Sequence, residues 1–141
     1  MNNYFILPKT AVTIPVTEQS KYLILHTTED DAQLQTNISD MLDKMIRNAL
    51  QLDIDNFSFL SLTSNEKIIL TPLLKNAHSI QKIMSFGIDI NQIGLQIDAK
   101  LYANYTIQEK NYLFLPSLKQ MYLDTIIKKK AWEAISTFFK K

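Results

Sequence analysis

The chain has 141 residues, 46% of them hydrophobic and 21% charged, enough for one sizeable core but not for two independent ones. Fifteen Lys and Arg against fourteen Asp and Glu leave a net charge of +1, so no overall field concentrates a nucleic-acid backbone or an anionic membrane. The absence of cysteine excludes disulfides, thiolate metal sites and a cysteine nucleophile.

The opening residues Met1 to Pro8 lack the basic start and apolar run of a secretory signal, and no later stretch has the length of a membrane span. A cytoplasmic protein with no membrane contact is the expectation. Pro8 and Pro15 hold their preceding residues extended, and the Val12-Thr13-Ile14 alternation between them suits an edge strand or an extended arm. Residues 1–20 are read as an extended amino-terminal arm and 21–141 as one α/β domain. Tyr4, Phe5, Ile6 and Leu7 form an apolar cluster too large for a short arm to hide within itself. Either it folds back on the domain or it meets a partner.

Lys21 to His26 is a short apolar run that suits a buried strand. From Leu34 the apolar residues fall at Leu34, Ile38, Met41, Leu42, Met45, Ile46 and Ala49, the spacing of one helix face. Glu29, Asp30 and Asp31 stand at its amino end, where the helix dipole favours negative charge. Phe57 to Leu62 reads as a second strand and Lys82 to Ile88 as a third. Between them, Lys67 to Leu70 fits a strand or a first helical turn, with Pro72 limiting both. Gly87 and Gly94 are the only glycines, so no glycine-rich phosphate cradle exists. Thr106-Ile107 and Tyr112 to Leu115 flank a polar stretch and suit a hairpin or a loop into a final strand.

Ser117 with Gln120 three residues later matches a capping box, which starts a helix at Ser117. Asp124 caps a second helix in which Ile127, Ala131, Ala134, Ile135 and Phe138 share a face. Lys128, Lys129 and Lys130 spread around that helix as solvated residues, and Trp132 falls at the margin of its apolar face. Phe114 and Phe138 are expected in the core. The predicted fold is one three-layer α/β domain, a small mainly parallel sheet flanked by helices.

Two functional readings remain open on these residues. His26, at the end of the first strand and followed by Glu29, Asp30 and Asp31, occupies the position where open α/β sheets place ligands. A small cytoplasmic α/β enzyme would use that strand end, although capping and solvation explain the same residues. His78 has no matching motif. The second reading is a protein that binds other proteins, with Tyr4, Phe5, Ile6, Leu7 and Trp132 as candidate partner-binding residues. No catalytic, cofactor-binding or metal-binding residues, and no cofactor, are assigned on this reading.

The carboxyl-terminal segment resembles the psi subunit family of bacterial DNA polymerase III. The likeness lies in the apolar strand Tyr112 to Leu115 running into Pro116-Ser117-Leu118, then Asp124, then Lys128-Lys129-Lys130-Ala131-Trp132. Ile14-Pro15 ahead of the apolar run Tyr22 to Leu25 extends it. The resemblance implies a non-catalytic adaptor that bridges the clamp loader to the chi subunit and so to single-strand-binding protein. Its implied partners are the chi subunit and the clamp-loader collar, without direct nucleic-acid binding.

Overall fold

A computed structural model describes residues 20–29, 31–63, 65–75, 77, 79–95 and 97–140. The apolar arm cluster Tyr4, Phe5, Ile6 and Leu7, together with Asp30 and His78, lies outside the described residues. Five strands form one sheet: β1 (Tyr22–Thr27), β2 (Phe57–Leu62), β3 (Lys82–Phe86), β4 (Asn104–Ile107) and β5 (Lys110–Leu115). Their spatial order is β2-β1-β3-β5-β4. β1, β2, β3 and β5 run parallel, and β4 returns antiparallel on β5.

The sheet's two faces explain why β1 and β5 carry unbroken apolar runs, Tyr22 to Leu25 and Tyr112 to Leu115. Successive side chains point to opposite sides. Ile24, Met84, Leu113 and Leu115 face one layer, whereas Leu23, Leu25, Ile83, Tyr112 and Phe114 face the other. α1 (Ala32–Lys44), α3 (Leu118–Leu123) and α4 (Thr125–Phe138) cover the first face through Ile38, Leu42, Met121, Ala131 and Ile135. The second face is covered by α2 (Leu70–Lys75) and the segments around it, through Leu70, Leu74, Ile80 and Ile93. The expectation of a single three-layer α/β domain with a mainly parallel sheet is borne out, and Phe114 and Phe138 are buried as expected. Among the described residues, Ser85, in the central strand on the α2 side, has a buried hydroxyl without a hydrogen-bond partner.

Local chemistry sets the element ends. Asp31 accepts from the main-chain N–H groups of Gln33 and Leu34 and so caps α1. The predicted helix face continues into a π turn over Met45–Ala49, which carries Met45 and Ile46 into the core but leaves Ala49 exposed. Pro72 is accommodated as the third residue of α2, within the first turn, where its missing N–H breaks no helical bond. The connection from β2 to α2 is held by the buried Gln92. Its Nε2 donates to the carbonyls of Thr63 and Glu66, both at 2.9 Å, while its Oε1 accepts from the Asp89 N–H.

Gly87, the residue after β3, has φ 69° and lies directly against Ser117. A Cβ at position 87 would stand 2.6 Å from the Ser117 Cβ and 2.8 Å from its Cα, closer than atoms pack. At Gly94, φ is 75° but the nearest atoms to a Cβ are at 3.4 Å. Both glycines meet the left-handed conformational demand, and Gly87 alone of the two also meets a steric one. Gly94→Ala is therefore expected to cost about 1–2 kcal/mol, and Gly87→Ala about 3 kcal/mol or more, the strain and the overlap together. Urea denaturation of both variants checks this, and equal losses would show that the contact with Ser117 contributes nothing.

Candidate partner-binding surface

The main chain leaves β5 through the buried Pro116 and turns at once into α3. Ser117 Oγ accepts from the Gln120 N–H at 3.1 Å, and Gln120 Oε1 accepts from the Ser117 N–H at 3.3 Å, the reciprocal pair of a capping box. α3 then buries Leu118 and Met121. Asp124 ends it in an extended conformation, φ −131° and ψ 112°, while its N–H still donates to the Gln120 carbonyl. The same residue starts α4, because its Oδ1 accepts from the Ile126 and Ile127 N–H groups at 2.9 and 3.3 Å. One aspartate thus closes one helix and opens the next, and both capping expectations hold.

The phase fixed by these caps has a consequence for the surface. Leu118 and Met121 point inward from α3, and Ala131, Ile135 and Phe138 from α4. Tyr122, Leu123 and Ile126 are turned outward at the corner, with 41%, 66% and 80% of their surfaces exposed. Exposed large apolar side chains grouped along five residues differ from the singly scattered ones of an ordinary surface. Beside them a groove of about 450 Å³ runs between α1 and the corner, floored by Met41 and Met45 and bordered by Lys44, Tyr122 and Lys128. With the caps at Ser117 and Asp124 read correctly, the helix phase places Leu123 and Ile126 off both apolar faces, while Tyr122, four residues after Leu118, stays at the margin of the α3 face. That signal was present in the sequence, and the candidate residues drawn from it did not include them.

Trp132 lies elsewhere. It is six residues beyond Ile126, about 120° around the helix, and is partly buried against the core under α1, α3 and α4. The structure therefore places it at the core margin and does not join it to the corner. The three consecutive lysines are exposed, with Lys130 Nζ 4.5 Å from the centre of the Tyr102 ring, a cation–π contact.

His26 lines a second pocket, of about 320 Å³, with Ser39, Leu42, Asp43, Phe59 and Leu118 among its walls. Its Nδ1 lies 3.2 Å from the Thr27 carbonyl, which only accepts, so Nδ1 carries the proton and donates. Glu29 and Asp31 are not among the residues lining this pocket; Asp31 is engaged in capping α1. Asp43 pairs with Arg47 at 2.7 Å. Among the described residues, no group of three or more His, Asp or Glu side chains could hold a metal ion. Nor is any described helix long and apolar enough to cross a membrane. Compared with family models, curated proteins and solved structures, the chain matches none.

Burial holds the His26 pKa below its ordinary 6.5, outweighing the hydrogen bond to Thr27, which acts the other way. The unfolded chain therefore binds the proton more readily than the folded one. The stability this residue contributes is full above pH 6.5 and falls as pH drops below that value. His26→Gln is expected to reduce the loss of stability between a pH above 6.5 and a pH below it, measured by urea denaturation. An unchanged acid loss in the variant would show that His26 is not buried in this way.

Proposed function

We propose that the protein is a non-catalytic adaptor of a DNA polymerase III holoenzyme, similar to the psi subunit, joining the clamp loader to the chi subunit and so to single-strand-binding protein. The observation that carries this reading is the corner between α3 and α4. The residues of the resemblance are the ones that build it: Pro116 and Ser117 start α3, and Asp124 ends α3 and starts α4. Their combined effect is to hold Tyr122, Leu123 and Ile126 outward beside a methionine-floored groove. An apolar centre of this kind suits a protein interface, whose binding energy comes from a few well-placed side chains. The corner is the chi-binding surface on this reading, and the arm residues Tyr4 to Leu7 are the clamp-loader contact.

A small enzyme using the His26 pocket is the competing reading, supported by the position of that pocket at the carboxyl end of β1. Binding separates the two. The purified chain is expected to form a stable complex with chi in calorimetry. Leu123→Asp combined with Ile126→Asp should weaken that complex by about 100-fold or more with melting unchanged, since both residues are already exposed. A folded wild-type chain that binds neither chi nor the clamp loader would exclude the adaptor reading.

A further inference from the structure

The charges around the corner specify what fits on it. Lys119 precedes Tyr122 by three residues and Leu123 by four, and Lys129 follows Ile126 by three, so each exposed apolar side chain has a lysine on its own helix face. Lys128 and Lys44 border the groove from α4 and α1. The carboxylates nearby are Asp40, also on the groove, Asp124, whose Oδ1 is engaged by the first N–H groups of α4, and Glu133, four residues beyond Lys129. Four lysines against three carboxylates, one of them engaged in capping, leave a locally basic rim on a chain that is otherwise nearly neutral.

We infer that the α3–α4 corner and its groove receive a peptide segment of a partner protein in which aliphatic side chains are flanked by Asp or Glu. This inference rests on the adaptor reading and adds the chemistry of the occupant. The aliphatic side chains meet Leu123 and Ile126 and enter the groove over Met41 and Met45, whose unbranched, polarizable side chains adapt to varied shapes. The flanking carboxylates meet the lysine rim, which sets orientation and speeds encounter. An anionic membrane would also attract lysines beside apolar residues. A concave groove matches a projecting peptide better than it matches a lipid surface, which favours the peptide.

The test uses the full chain labelled with ¹⁵N and three probes: a short peptide of Leu and Glu, the same peptide with Lys in place of Glu, and phosphatidylglycerol vesicles. The acidic peptide is expected to shift the amide signals of residues 118–129 and of Met41 and Met45. The lysine peptide should bind at least about tenfold more weakly. Lys128→Glu with Lys129→Glu should lower the affinity for the acidic peptide by about tenfold while leaving the melting temperature unchanged. Equal binding of both peptides, shifts confined to another surface, or binding to vesicles without binding to peptide would each overturn the inference. If chi binds but the acidic peptide does not, only the occupant assigned here is wrong. If the peptide binds at the corner but chi does not, the adaptor reading fails and the peptide site stands.

Discussion

The end of β3 and the start of α3 meet main chain to main chain at Gly87 and Ser117, and the helical layer over β3 and β5 takes its position from that contact. The Gly87 N–H donates to the Leu115 carbonyl at 2.9 Å, which ties the carboxyl ends of the two central parallel strands together just before the chain turns into α3. With no side chain at position 87, Ser117 can sit close enough to the sheet for Leu118 and Met121 to reach the core. Asp124 then redirects the chain, so that α4 lays Ala131, Ile135 and Phe138 on the same face. The far end of α4 is fastened by Lys82, whose Nζ donates to the Phe138 carbonyl and lies 4.8 Å from the Phe138 ring centre. Between these two fastenings lies the corner, with Leu123 and Ile126 on its outer side.

Much of this fold was legible in the chain because its determinants are local. Parallel strands buried on both faces must be apolar throughout, and Tyr22 to Leu25 and Tyr112 to Leu115 read so. The caps at Asp31, Ser117 and Asp124 are short-range bonds between a side chain and nearby N–H groups, visible as residue types at fixed offsets. The stretch between β2 and β3 was not legible. Its order comes from long-range bonds such as those from Gln92 to Thr63 and Glu66, which leave no periodic trace. The hairpin tip is a further case: Gln108 and Glu109 adopt φ 51° and 69°, conformations that Asn and Gly mark far more often.

The surface divides along the same line. Trp132, expected at the margin of the apolar face of α4, packs there against the core; Tyr122, Leu123 and Ile126 are common residues whose exposure depends on where two caps place them. His26 stands at the strand end that α/β enzymes use, but its proton donor is turned to a backbone carbonyl and its neighbours are largely apolar. That environment explains a neutral, half-buried imidazole without a reaction. Among the described residues nothing covers the corner, and exposing three large apolar side chains together brings no stability by itself. The proposed adaptor role would supply a cover, with a partner seated on the corner.

Amide hydrogen exchange of the full chain, alone and with the chi subunit added, tests this account most directly. The account predicts that chi slows exchange across residues 118–129 and the adjoining Met41 to Ala49 stretch. Slowing confined to other elements, such as β2 or the β4–β5 hairpin, with the corner unchanged, would contradict it.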